Sequence, residues 1–238
     1  EIGGEPVAEI RAMVSQPAYD PNLIDTEFEQ LAAGQPGPLV NRATQAQYQP
    51  GLVTQPLITA AALDSGLISL DATLEEPFLP VTIDGQVLRC AQPRVEGDAS
   101  LYTWAEMAKL RCPAPLQALG NEIGTPTLED IFRRFGLDQA PDLPLPAAVN
   151  GAPIRNPGLA AIGQDTLTLT PLQAALAIGA LAGDGHLPGP RLVESLAGAD
   201  GRWEPQPAGQ PPVGTASVSP EVAAAVRNCS STLSRRRA

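Results

Sequence analysis

The stretch Pro50-Gly51-Leu52-Val53-Thr54-Gln55-Pro56-Leu57-Ile58-Thr59-Ala60-Ala61-Ala62-Leu63-Asp64-Ser65-Gly66-Leu67 reads as a helix over Leu52 to Leu67 that is apolar on nearly every side. A surface helix shows one apolar stripe; a helix apolar all round belongs inside a domain. Gly66 supplies its stop signal. A second such run, Leu172 to Leu181, follows Thr170-Pro171, an N-cap with proline at the first helical position, and ends at Gly183. Two buried helices require other elements to cover them, so the rest of the chain is read as their coat.

Working outward, Glu9 to Ser15 alternates loosely up to Gln16-Pro17 and predicts an opening strand. A short amphipathic segment, Thr26 to Leu31, lies in an excursion closed by Gly34-Gln35-Pro36-Gly37-Pro38. Residues Leu74 to Val95, with prolines and the turn Asp84-Gly85, predict a small β excursion. Thr103 with Glu106 has capping-box spacing and starts a helix that ends near Arg111, before Pro113 and Pro115. Helix resumes over Leu116 to Gly124, and Thr127 is expected to cap another ending at Gly136. A loop follows from Ala140 to Gly158, strands are expected after Pro190, and Ser219-Pro220-Glu221 opens a last helix. Helices with scattered strands indicate an α+β domain, or a helix-covered antiparallel sheet.

Of the 238 residues 43% are apolar, enough for a substantial core, and the net charge is −11. The acidic balance is spread along the chain, and the only basic run is Ser234-Arg235-Arg236-Arg237, so nucleic acid is not an expected partner. There is one lysine, Lys109, and one histidine, His186, while the other cations are arginines that stay protonated. Lysine- and histidine-based mechanisms are thereby almost eliminated. No stretch reaches the length of a membrane span. Cys90, Cys112 and Cys229 show no C-x-x-C pairing, so neither a metal nor another cofactor is expected. Cys90 and Cys112 either close a disulfide, worth about 3 kcal/mol in an oxidising compartment, or are two buried thiols.

The order of local phrases adds a family. Ile10-Arg11-Ala12-Met13-Val14-Ser15-Gln16-Pro17-Ala18-Tyr19-Asp20-Pro21-Asn22, then Asn41-Arg42-Ala43, Tyr48-Gln49-Pro50-Gly51, Thr170-Pro171-Leu172-Gln173, Asp184-Gly185-His186-Leu187 and Pro190-Arg191-Leu192-Val193 together resemble the penicillin-binding protein transpeptidase domain. The resemblance runs from about residue 9 to 226. It implies an α+β, β-lactamase-like fold, an antiparallel sheet with helices on both faces. It also implies one transpeptidase-like domain over residues 1–238, truncated at both ends, and makes the first buried helix the one that carries the family's nucleophile.

That helix lacks the chemistry. The family places a serine at its start and a lysine at i+3, one turn on and on the same face, so that the amine can take the hydroxyl proton. The matching positions are Leu52, with no nucleophile, and Gln55, with no titrating group. Thr54 is a candidate cleft hydroxyl, though Gln55 cannot serve as its base. The family's Ser-x-Asn motif is matched by Arg111-Cys112-Pro113, leaving Arg111 either as an anion-binding cleft residue or as a solvated cation, and Pro113 where a polar group belongs. A Lys-Thr-Gly is expected after Ser219-Pro220-Glu221-Val222-Ala223, but the chain runs on through Asn228-Cys229-Ser230-Ser231 without one. Val213-Gly214-Thr215-Ala216 echoes it too early and without a lysine.

Losing a nucleophile or base from a concerted site costs orders of magnitude in rate, so the expectation is a catalytically inactive member with no catalytic residue. It would serve as a scaffold, with protein partners in a bacterial cell-envelope assembly and Leu52 filling the cleft. The alternative is a module whose open cleft binds peptidoglycan peptide or a β-lactam. An active transpeptidase or hydrolase with an atypical nucleophile, a triad built on His186 and Asp184, or a carboxylate-pair glycosidase all lack support. The family setting implies an extracytoplasmic location, in the periplasm or at the outer face of the cytoplasmic membrane, with an anchor in a longer precursor.

Overall fold

A computed structural model describes residues 6–92, 102–211 and 216–231. Residues 93–95 of the β excursion, Val213-Gly214-Thr215 and the basic run 234–237 lie outside the described residues. In chain order the elements are β1 (Val7–Glu9), α1 (Ile24–Ala33), α2 (Thr54–Asp64), β2 (Thr73–Leu74), β3 (Val81–Ile83), β4 (Gln86–Leu88), β5 (Tyr102–Thr103), α3 (Trp104–Leu110), α4 (Pro113–Arg134), α5 (Pro157–Ala161), α6 (Pro171–Ala182), β6 (Gly189–Arg191), β7 (Ser195–Ala197), β8 (Trp203–Pro205) and α7 (Pro220–Ser231). Short 3-10 turns, Pro21–Leu23 and Gly51–Val53, lead into α1 and α2.

The class is α+β. Among the described residues the strands join as four two-stranded ladders, antiparallel β2–β5, β3–β4 and β7–β8 and parallel β1–β6. The opening strand is shorter than Glu9 to Ser15: Ile10 still donates to Arg191 O at 2.9 Å, but its partner β6 ends there and residues 11–15 find no ladder. The Asp84-Gly85 turn has positive φ at both residues, 48° and 81°, which suits the two-residue loop between β3 and β4.

The two helices read as internal are so. Leu57, Ile58, Ala60 and Ala61 of α2 and Ala177 and Ala180 of α6 are at most 1% exposed. They share one cluster with Leu116, Leu128 and Ile131 of α4, Ala160 and Ala161 of α5, and Ala223 and Val226 of α7. The capping boxes at Thr103–Glu106 and Thr170–Gln173 both form. Thr127 does not cap a helix. The break falls earlier, at Gly124 (φ 73°, ψ 174°), inside α4 and two residues before Pro126, because glycine alone takes that backbone without strain.

Where α4 crosses α5, Gly120 lets the backbones touch: a Cβ there would sit 2.4 Å from Ala161 Cβ. A smaller cluster of Tyr102, Met107 and Cys112 packs under the excursion, with the Phe78 and Tyr102 rings edge to face at 4.8 Å. No helix among the described residues is long and apolar enough to cross a membrane.

Candidate functional site

The site is built where α2 begins. Gly51 N donates to Gly163 O at 3.1 Å, and Gly163 (φ 66°) lies so close to Gly51 that a Cβ would come within 2.3 Å of its carbonyl oxygen. This contact fixes the entry of the helix. The 3-10 turn then presents Leu52, and Gln55 follows one turn later; both line a cavity of about 370 Å³. Arg111 lines it too, as do Ile178 of α6 and Val226 and Cys229 of α7. Leu52, Gln55 and Arg111, matched from sequence to three positions of one cleft, are therefore brought to one cavity.

Gln55 is 6% exposed, and its Nε2 donates to Met107 O at 3.4 Å. Arg111 caps α3 in the left-handed region (φ 53°), and its side chain pairs with no carboxylate among the described residues. Cys90 and Cys112 are joined in a disulfide, Cα atoms 4.0 Å apart. Ala91 N donates to Arg111 O and Gln92 N to Leu110 O, both at 3.3 Å, so the β excursion is stapled to the Arg111 turn.

Three expectations need correction. Thr54 is not a cleft residue: it is fully buried, with Oγ1 2.6 Å from Ala161 O and 3.0 Å from Gly51 O, so its proton is committed to backbone carbonyls. Its position on the helix points it into the core rather than toward Leu52 and Gln55. Pro113 is also buried, as the first residue of α4, and does not line the cavity. Nor is the space above Leu52 filled; the leucine forms wall, not plug.

Lys109 is on α3 but does not line the cavity. His186 is a partly exposed turn residue whose Nδ1 lies 3.1 Å from Asp184 Oδ1; that hydrogen bond holds the Asp184 carboxyl below its ordinary range. Neither residue lines the cavity. The residue missed from sequence is Cys229. Only the packing of α7 against α2, α3 and α6 carries it there, and nothing in its neighbours signals it. Burial pushes its thiol up despite nearby Lys109, so it is held protonated and is a poor nucleophile.

Residues 7–229 match the family model described as the penicillin binding protein transpeptidase domain. The chain belongs to that family. It is 34% identical over 207 residues to the peptidoglycan D,D-transpeptidase PbpA of Mycolicibacterium smegmatis, covering 80% of this chain and 42% of that protein. It is 29% identical over 227 residues to the peptidoglycan D,D-transpeptidase MrdA of Escherichia coli K12, covering 86% and 35%. Among solved structures, penicillin-binding protein A from M. tuberculosis in its imipenem acyl-enzyme complex superposes with a TM-score of 0.75 at 30% identity, covering 92% of this chain and 52% of that one. The transpeptidase-family chain described here thus spans about half the length of its relatives or less. Within the matched region, Leu52 lies in the 3-10 turn that leads into α2 and Gln55 in the first turn of α2.

Proposed function

We propose that this chain is a transpeptidase-fold domain that does not form an acyl-enzyme and acts as a partner-binding component of a bacterial cell-envelope assembly. The observation that carries this reading is the pair Leu52 and Gln55 on one cavity wall, at the positions where the family's motif sets serine and lysine. The relatives include D,D-transpeptidases and a protein seen as an imipenem acyl-enzyme. That chemistry needs a hydroxyl and a base converging on one cleft. Here the cavity offers an alkyl group, an amide, a permanently charged guanidinium, a thiol held protonated and the buried Thr59 hydroxyl, and no lysine, histidine or carboxylate lines it among the described residues to serve as that hydroxyl's base. An extracytoplasmic setting agrees with the Cys90–Cys112 disulfide and with relatives that act on peptidoglycan.

The test is intact-mass analysis after incubation with a large excess of a reactive β-lactam, followed by peptide mapping. No adduct is expected. A stoichiometric adduct on a hydroxyl would overturn the reading and name the nucleophile.

A second reading, a non-covalent module for peptidoglycan peptide or a β-lactam, is favoured by one feature: the cavity above Leu52 is open rather than packed shut. Equilibrium titration with a stem-peptide analogue separates it from a pure scaffold, since a scaffold's cavity gives no saturable signal.

A further inference from the structure

The cavity over Leu52 is walled, among the described residues, by helices and turns. Its lining comes from the Gly51–Val53 turn, α2, α3, α6, α7 and the turns beside them, and no described lining residue belongs to a strand. Extended peptides are ordinarily held by pairing their backbone with a strand edge, which supplies alternating donors and acceptors. No described residue of this wall does so. Most of the lining is hydrocarbon, including Leu52, Val53, Leu70, Ile178 and Val226.

The polar groups are few, and one of them carries a charge. Gln55 Nε2 donates to Met107 O, the Thr59 hydroxyl on the cavity wall is buried with no hydrogen-bond partner, and the Cys229 thiol is held protonated. Arg111 alone is exposed, charged, and without a carboxylate partner among the described residues. Its place is held by the backbone bonds of Ala91 and Gln92 and by the disulfide at Cys112.

An apolar chamber with a single cationic anchor fits a ligand with an apolar body and one anionic end. We propose that this cavity binds an aliphatic carboxylate, with its carboxylate on the Arg111 guanidinium and its chain against Leu52, Ile178 and Val226. At about 370 Å³ the space lies at the small end of the range for ligand sites, which suits a medium-length acyl chain. A planar guanidinium takes a carboxylate through two parallel hydrogen bonds. The proposal rests on the reading that the cavity no longer acylates, because a β-lactam-reactive serine would need the volume the chain occupies.

Cys229 lines the cavity and is the free cysteine, so it serves as a reporter. The experiment follows its alkylation by N-ethylmaleimide at mildly alkaline pH, read by intact mass, with decanoate added below its micelle concentration. Decanoate should slow the reaction saturably, while 1-decanol and D-alanyl-D-alanine should not. Arg111→Ala should weaken decanoate about tenfold, equivalent to about 1.4 kcal/mol, with partial recovery in Arg111→Lys. Ile178→Trp, which fills the chamber, should abolish the effect.

No protection by decanoate overturns the proposal, and so does equal protection by decanol, since the anionic end would then be idle. Stronger protection by the dipeptide overturns it in favour of a peptide site. If Arg111→Ala fails to melt cooperatively, the three-ligand comparison on the unaltered chain decides. The β-lactam mass experiment is independent: an adduct on a hydroxyl removes the non-acylating reading whatever decanoate does, and absent protection leaves that reading standing.

Discussion

Thr54 Oγ1 lies 2.6 Å from Ala161 O and so ties the first residue of α2 to the last residue of α5. The bond spans 107 residues of chain and is fully buried. Thr54→Val keeps the shape but strips the donor from two carbonyl acceptors, and should cost about 1–3 kcal/mol, the range for leaving a buried polar group unpaired. Thr54→Ser should recover most of it. Denaturant unfolding of the two variants checks this; a Thr54→Ser variant that loses as much as Thr54→Val would show that the hydroxyl is not what holds the two helices.

Gly163 and Gly51 set the entry to the same helix. In Gly163→Ala the new Cβ would meet the Gly51 backbone at 2.3–2.8 Å, from a residue with φ 66°. Overpacking against backbone and a left-handed alanine act together, so a loss of about 2 kcal/mol or more is expected, and the thermal midpoint should fall accordingly. A variant as stable as the parent would mean that the helix entry shifts freely.

The Cys90–Cys112 bond closes a loop with a sequence separation of 22. Chain-entropy reasoning gives about 3 kcal/mol for a loop of this size. Adding a reductant, or replacing both cysteines by alanine, should lower stability by that order and loosen the Arg111 turn. Hydrogen exchange at Ala91 and Gln92, whose amides donate to Arg111 and Leu110, reports the second effect.

Glu9 joins β1 to β6 through Arg191, and that hydrogen bond, aided by the charge on Arg11, holds its carboxyl below the ordinary value of 4.5. A carboxyl with a depressed folded-state pKa adds stability above its unfolded value and loses it as the pH falls through the folded value. Glu9→Gln should therefore be less stable than the parent at neutral pH and converge with it in acid, below pH 4.5. Melting curves from pH 7 downward check the sign; a gap that stays constant into strong acid would refute it.

Much of this architecture was legible in the chain because the signals are local. Thr103 with Glu106, and Thr170 with Pro171 and Gln173, carry their capping chemistry within one turn, and both helices start there. The all-round apolar runs of α2 and α6 announced burial without any partner being known. Strand ends were less legible: whether residues 11–15 form strand depends on how far β6 extends, and nothing near them encodes that. Gly124 outranked the Thr127 cap signal for a related reason, since the turn had to fall where α4 changes direction in the packed core.

For the site, the sequence by itself determined which side chains stand at the start of α2 and how few lysines and histidines the chain can bring to it. One lysine, one histidine, and Leu52 and Gln55 in the helix-start register follow from counting and spacing. Only the tertiary structure decided what remains. It turned Thr54 inward, left the space over Leu52 open, set Arg111 at that space without a carboxylate, and brought Cys229 from the far end of the chain. The physical reason is that residue identity limits which bonds and protons a group can supply, whereas exposure, partners and cavity shape arise from packing between elements distant in sequence.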